Sequence, residues 1–462
     1  MANSLTTRLR FLGGAGTVTG SKYLLEVADR RLLIDAGLFQ GEKRLRELNW
    51  SDFPVPPASI SDILITHAHL DHVGYLPALV RRGFTGRVWT TPATARLAEI
   101  VLRDSAFLNE RDAEYAAERG FSRHRPPLPL YTTEDVAATL PLLEPVGYHA
   151  RLDLGEGIVA RFVPAGHILG SASIHITTPS TQVLFSGDLG RPEHPVLRAR
   201  EIPPGAGTVL VESTYGDRVH PSPEAGHEPL AELIRRTVRR GGSVLVPAFA
   251  VDRTEVVLKT LSTMQAEGRI PQLPIFVNSP MALAALAVYR DPEFRDELRP
   301  DLDPEHFIDL PQLREVRSTE ESMRLNDPAH PCIIIASSGM ATGGRVLHHL
   351  EHMLPDHRHS VVLVGYQSEG TRGRSLVDGA RHLKMHGRYV PVRAEVLQDD
   401  EFSVHADGPE LLDWLAALTP PPARVFAVHG TEEVATRLAG QIGERLAVPA
   451  IVPRLGESVR LD

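Results

Sequence analysis

The stretch Thr66-His67-Ala68-His69-Leu70-Asp71-His72 constrains this chain more than any other feature. It sets three imidazoles and a carboxylate within six consecutive residues, directly after the apolar run Ile63-Leu64-Ile65. Such a run reads as a buried strand, which puts the cluster where the strand end opens into a loop. Extended backbone alternates its side chains with period two, so His67 and His69 are expected to face the same way. Asp71 and His72 then begin a helix expected over Asp71 to Val80 and present two more donors from its first turn. Neutral imidazole and carboxylate are zinc-type ligands, and two-metal sites hold their ions about 3.5–4 Å apart.

At 462 residues the chain is long enough for two or three domains with cores of their own. Hydrophobic content of 42% and charged content of 23% are ordinary for a globular protein. No apolar run reaches membrane-spanning length, and Met1 to Gly14 lacks the apolar centre of a signal peptide, so a cytoplasmic location is expected. The single cysteine, Cys332, lies in the apolar run Cys332 to Ala336 and excludes an intrachain disulfide. A net charge of −9 gives no global attraction to nucleic acid, although a local basic cleft is compatible with it. The lysines are Lys22, Lys43, Lys259 and Lys384, and all other basic side chains are arginine, which grips phosphate bidentately.

The first half reads as β-rich. Tyr23 to Val27 and Arg31 to Asp35 form an expected hairpin turning at Ala28-Asp29-Arg30, and strands are expected at Ile158 to Val163 and Gln182 to Phe185. The glycine-rich Gly13 to Ser21 lacks the Gly-Lys-Ser/Thr ending of a phosphate loop and reads as a tight loop near the site. From about residue 216 strands and helices alternate. Ser243 to Pro247 precedes Asp252 to Met264, and Ile275 to Asn278 precedes Met281 to Tyr289. Cys332 to Ala336 precedes Arg345 to His352, and Val361 to Gly365 precedes Gly373 to Asp378. Alternation of this kind argues for a parallel sheet flanked by helices. The charged, proline-punctuated Asp291 to Asp327 reads as a cap or connecting segment. Strand-like runs return after about residue 386, followed by a helix at Pro409 to Leu418 and a strand at Arg424 to Val428.

Ligand-type residues recur at strand ends: Asp35 after Leu32 to Ile34, His167 after Phe162 to Pro164, Asp188 after Val183 to Phe185, and His429 after Val425 to Val428. Donors repeated along one edge can meet around a single site. With these motifs the chain resembles the metallo-β-lactamase superfamily, and specifically its β-CASP ribonuclease branch. The family's shared motifs fall on Asp35, His67 to His72, His167 in Ala165 to Gly170, and Asp188 in Ser186-Gly187-Asp188. The branch-specific motifs fall on Glu212 in Val211 to Gly216, His405 in Phe402 to Asp407, and His429. Ser337 to Met340 with Gly343-Gly344-Arg345 resembles the inserted domain, and the likeness runs from about Phe11 to Val452. The chain resembles minimal bacterial members similar to the nuclease subunit of the cleavage and polyadenylation specificity factor, and the resemblance implies that the appended RNA-binding or dimerisation modules of some relatives are absent.

The resemblance implies an α/β architecture, a four-layer αβ/βα metallo-β-lactamase fold with an inserted α/β β-CASP domain. The expected boundaries are 1–214 and 385–462 for the former and 215–384 for the latter. It implies two Zn2+ per chain, with Mn2+ an alternative at such a donor set. One ion would be held by His67, His69 and His167, the other by Asp71, His72 and His429, with Asp188 bridging. Asp35 would orient a ligand or the water from behind. The implied reaction is hydrolysis of single-stranded RNA, endonucleolytic, by a metal-bridging hydroxide. His405, oriented by Glu212, would donate a proton to the leaving 3′-oxygen. Asp35, Asp188, Glu212 and His405 are therefore the candidate catalytic residues. Ser337, Ser338, Arg345 and Ser403 are the candidate phosphate contacts in a cleft between the domains.

Two positions depart from the family pattern. Glu401 stands where glycine usually precedes Phe-Ser-x-His, and Thr431 stands where glutamate usually follows His-Gly. A carboxylate at 401 would repel an RNA phosphate or point to solvent. The competing readings are a 5′-to-3′ exoribonuclease, a small-molecule metallo-hydrolase, and a non-catalytic RNA-binding scaffold. The small-molecule enzyme needs neither Glu212 nor His405, and the scaffold is disfavoured by the filled ligand positions. Single-stranded DNA stays open as a substrate, as do protein partners and oligomeric state.

Overall fold

A computed structural model of the chain describes residues 6–118, 128–221, 226–304, 308 and 310–462. Met1–Leu5, the start of the Met1 to Gly14 stretch, lies outside the described residues. Two compact units emerge, one from Met1–Val219 with Val404–Asp462 and the other from His220–Ser403.

The first unit is built from two seven-stranded sheets. One runs in the order Ser458–Arg460, Thr7–Phe11, Tyr23–Val27, Arg30–Ile34, Asp62–Leu64, Arg87–Thr90, Leu143–Pro145. The other runs Ala450–Ile451, Arg424–Val428, Thr208–Glu212, Gln182–Phe185, Ala172–Thr177, Ile158–Pro164, Leu152–Gly155. Period-two alternation explains how they stack. Leu9, Phe11, Leu25, Leu32 and Ile34 of the first sheet share one core with Phe162, Ile174, Ile176, Phe185, Leu210 and Phe426 of the second. The residues between them turn outward. Leu184, Val209, Val211 and Val425 pack with Leu411, Trp414 and Leu415 of helix Gly408–Ala417 and with Leu438 and Ile442 of helix Glu432–Leu446. On the first sheet Leu24, Leu33 and Ile63 are likewise fully buried. Helices Leu76–Arg81 and Pro92–Glu118 follow strands of this sheet in sequence, and helix Thr133–Thr139 packs on both. Each fully buried Leu, Ile or Phe stabilises this helix–sheet–sheet–helix stack by about 1.5–3 kcal/mol before entropy is counted.

The strand directions place the chemistry. Arg30–Ile34 pairs parallel with Asp62–Leu64, while Gln182–Phe185, Thr208–Glu212 and Arg424–Val428 run parallel to one another. Ile158–Pro164 runs the same way as Gln182–Phe185, with the antiparallel Ala172–Thr177 between them. Asp35, the 66–72 segment, His167, Asp188, Glu212 and His429 therefore all fall at carboxyl ends of strands.

The second unit is a six-stranded parallel sheet in the order Leu313–Glu315, Ile275–Val277, Ile333–Ala336, Val244–Pro247, Ser360–Leu363, Glu395–Gln398, with a separate hairpin, His382–Met385 and Arg388–Pro391. Leu245, Ile334, Val361 and Leu363 share a core with Leu347, Leu350 and Met353 of helix Arg345–Met353 and with Leu383, Met385 and Val390 of the hairpin.

Three expectations differ from what is seen. The single helix expected over Asp71 to Val80 is two, Leu70–Val73 and Leu76–Arg81. Pro77 has no N–H to continue the first, and Tyr75 N instead donates to Ala36 O at 2.7 Å. Asp291 to Asp327 is more than a connector. It supplies the edge strand Leu313–Glu315 and the helix Thr319–Arg324, started by a capping box of Ser318 and Glu321, while 305–307 and 309 lie outside the described residues. The segment from 385 to 403, expected in the return to the first unit, belongs with the second, because Glu395–Gln398 hydrogen-bonds along Ser360–Leu363.

Candidate metal centre

Seven of the side chains at those strand ends converge at close spacing. His67 Nε2 and His167 Nε2 lie 3.2 and 3.3 Å from His69 Nδ1, and 3.5 and 3.6 Å from Asp188 Oδ2. Ligand atoms about 2.1 Å from a tetrahedral zinc lie about 3.4 Å apart, and these four separations are of that size. A second group adjoins the first. His429 Nε2 lies 3.2 Å from both His72 Nε2 and Asp71 Oδ2, and His72 Nε2 lies 3.3 Å from Asp188 Oδ1. The two oxygens of Asp188 thus face different donor groups. The expected geometry of His67 and His69 is met, since both contribute to the same group.

The electrostatics ask for a cation. Asp35 and Asp188 are buried, and Asp71 is nearly so, with its side chain 20% exposed. Burial holds His67 and His167 well below the ordinary imidazole range and lowers His69, so these rings are neutral donors. Burial acts the same way on His72 and His429, but Asp188 beside both, with Asp35 and Asp71, outweighs it and raises each. Burial pushes Asp188 up, yet the imidazoles of His429, His72 and His67 hold its carboxyl well below the usual range. His167 Nδ1 and Asp188 Oδ1 are buried without a hydrogen bond. A buried carboxylate oxygen left unpaired, as Asp188 Oδ1 is, is costly unless something positive meets it. The donor set fits a metal ion of the zinc class.

Behind the donors sits a layer of orienting groups. Asp35, held at φ +59°, accepts from Thr66 N at 2.8 Å, from Thr66 Oγ1 at 2.9 Å and from His72 Nδ1 at 2.8 Å. That bond leaves His72 Nε2 bare toward Asp188. Thr66 Oγ1 also meets His67 Nδ1 at 3.0 Å, and Thr214 Oγ1 meets His429 Nδ1 at 3.0 Å. Asparagine at 35 keeps the left-handed backbone but turns one oxygen into a donor facing donors. Asp35→Asn is expected to weaken zinc binding about 10–100-fold, read by competition with a chromogenic chelator. Unchanged affinity would show that Asp35 does not orient the site.

Close backbone approach is part of the construction. A Cβ on Gly37 would lie 1.6 Å from Asp71 O, and one on Gly190 would lie 1.7 Å from Gly166 O. The glycine-rich 13–21 loop buttresses the centre as a tight loop: Gly14 O accepts from His429 N at 2.6 Å, and Ser21 N donates to Asp71 O at 2.8 Å. Lys22 is buried, donates to Gly37 O and lies 4.1 Å from the Phe39 ring centre, and burial lowers its ammonium to about 7.

His405 stands at the side of the first donor group. Its Nδ1 lies 3.1 Å from Glu212 Oε1, and its ring is 4.3 Å from that of His167. Glu212 is fully buried and is pinned in turn by Leu189 N, which donates to its Oε1 at 2.8 Å. An isolated bridge between Gly190 and His405 fixes the backbone beneath the ring.

The candidate phosphate contacts belong to the second unit. Ser338 Oγ meets Thr342 Oγ1 at 3.0 Å, and Ser337 Oγ and Ser403 Oγ are buried without hydrogen bonds. Arg345 donates from Nη1 to Asn278 Oδ1 at 2.8 Å and from Nη2 to Arg317 O at 3.2 Å. Glu401 neither points to solvent nor awaits a phosphate. Its Oε2 accepts from His227 N at 2.8 Å inside the second unit. Thr431 caps helix Glu432–Leu446, accepting from Val434 N, and Glu432 and Glu433 sit favourably in the first turn. Thr66, Thr214 and Lys22 were given no role from sequence. The two threonines stood inside the motifs, next to the ligands, but nothing in a sequence reports which ring nitrogen a hydroxyl meets.

Comparison with known proteins agrees with this construction. The chain matches the Metallo-beta-lactamase superfamily over residues 15–248, the Beta-Casp domain over 254–376, and the Zn-dependent metallo-hydrolase RNA specificity domain over 389–453. It is 39% identical to Ribonuclease TTHA0252 of Thermus thermophilus, over 97% of this chain and 98% of that one. It is 30% identical to Transcription termination factor FttA of Methanocaldococcus jannaschii, over 98% of this chain and 72% of that one. A crystal structure of a protein of unknown function from Enterococcus faecalis shares the fold, with a TM-score of 0.54 and 16% identity over 99% of this chain and all of that one. The chain belongs to the metallo-beta-lactamase superfamily, in the group that carries a Beta-Casp domain.

Proposed function

We propose that this protein is a metal-dependent ribonuclease that cuts single-stranded RNA internally, with two Zn2+ per chain as its cofactors and Mn2+ as an alternative load. The observation that carries the reading is the pair of donor groups sharing Asp188, with the His405–Glu212 pair beside them. A small-molecule hydrolase would have no use for that pair. The relative named as a ribonuclease, similar along nearly the whole chain, supports RNA as the substrate. No described helix is long and apolar enough to cross a membrane, which fits a proposed cytoplasmic site of action.

His67, His69 and His167 would hold one ion, Asp71, His72 and His429 the other, and Asp188 both. When bound, such ions polarise phosphoryl oxygens and lower the pKa of water to about 7, so that a nucleophile forms at neutral pH. The residues supply the rest. Asp35 fixes the His72 ring with Nε2 bare, and Thr214 does the same for His429. Water's oxygen bonds to phosphorus as the bond from phosphorus to the 3′-oxygen breaks. With Nδ1 engaged by Glu212, His405 presents Nε2, which would hand a proton to that leaving oxygen.

Chelation is expected to abolish cleavage of single-stranded RNA and zinc to restore it, with rates falling as salt rises because phosphate contacts release counterions. Full cleavage in excess chelator, by protein shown to be metal-free, would exclude this function.

A further inference from the structure

We propose that the second unit carries a further divalent-metal site, formed by His348, Glu351 and His386 and suited to an ion of the zinc class. The three side chains offer two imidazole nitrogens and a carboxylate oxygen, all within 4.8 Å of one another. His348 and Glu351 are three residues apart on helix Arg345–Met353 and so share one face. His386 comes from the turn between His382–Met385 and Arg388–Pro391, where its backbone is left-handed at φ +45°.

Both supports are fixed independently of any ion. Leu347, Leu350 and Met353 on the helix and Leu383, Met385 and Val390 on the hairpin are buried in one core, so the turn is held over the helix. His386 Nδ1 lies 2.9 Å from Glu351 Oε2, and the His348 and His386 rings stack at 4.8 Å and 26°. A hydrogen bond between turn and helix accounts for two of these residues. It does not account for the second imidazole, which lies within 4.8 Å of the same carboxylate.

The donor types select the ligand. Two imidazoles and one carboxylate favour Zn2+, Co2+ or Ni2+ over Mg2+ and Ca2+, which prefer oxygen throughout. Glu351 is 25% exposed and His386 40%, so water has access to complete the coordination. The ion would tie the hairpin to the helix, and the site is separate from the donors proposed for RNA hydrolysis.

The test is a count of bound zinc on the full chain, equilibrated at fixed free zinc, comparing the native protein with His386→Gln and His348→Gln. Either variant is expected to hold one ion fewer per chain, to cleave RNA at the native rate, and to lose part of the zinc-induced rise in melting temperature. Both changes lie on exposed positions, so folding is monitored through the melting temperature in chelator. Equal zinc content in all three proteins would overturn the proposal. So would a loss of melting temperature that is the same with zinc and with chelator, which marks a hydrogen-bonded latch and nothing more.

Discussion

Asp188→Asn is expected to lower RNA turnover by on the order of 10³-fold or more and to remove bound metal. The size of the effect follows from position. Among the described residues Asp188 is the carboxylate whose two oxygens face both donor groups, at 3.3 Å from His72 Nε2 and at 3.5 and 3.6 Å from His67 and His167 Nε2. Asparagine keeps the volume but removes the charge that would offset the two proposed ions and turns one oxygen into a donor. It also leaves His72 and His429 without the anion that raises them. Metal content and turnover are measured together. A variant that keeps both ions and cleaves at the native rate would refute the bridging role.

His405→Ala is expected to cost about 10²–10⁴-fold in kcat with metal content and KM nearly unchanged, because proton transfer to the leaving group is what is lost. His405 belongs to neither donor group, although its Nδ1 lies 4.0 Å from Asp188 Oδ2, and among the described residues it hydrogen-bonds to Glu212. A metal ligand would behave differently, losing ions along with rate. The choice of leaving group separates the possibilities further, because a substrate whose leaving group needs no protonation should be cleaved by the variant at close to the native rate, whereas loss of a purely structural histidine would slow both substrates alike. Glu212→Gln should follow in the same direction, but it also disturbs Leu189 N, so its effect includes a packing component.

Much of the centre was legible because metal ligation needs residue types rather than precise contacts. His67, His69, Asp71, His72, His167, Asp188 and His429 each stand in a motif or after an apolar strand, and all seven meet in the first unit. The strands of the middle segment were also readable, since fully buried runs such as Ile333–Ala336 leave a continuous apolar signal. Long amphipathic helices were harder. Pro92–Glu118 and Glu432–Leu446 bury one face and expose charge on the rest, which hides them among polar sequence. The break at Gly74-Tyr75 depends on Tyr75 N finding Ala36 O, a partner nearly forty residues away. Glu401 failed in the same way, for its partner is a backbone N–H at His227 that no local pattern announces.

The most direct measurement resolves by size the products of zinc-loaded protein acting on 5′-end-labelled single-stranded RNA, with Asp188→Asn in parallel. Discrete labelled fragments of intermediate length, absent with the variant, are the expected result. Labelled mononucleotide from the earliest time point would contradict internal cleavage. Intact RNA in the presence of protein shown to hold its metal would contradict the function itself.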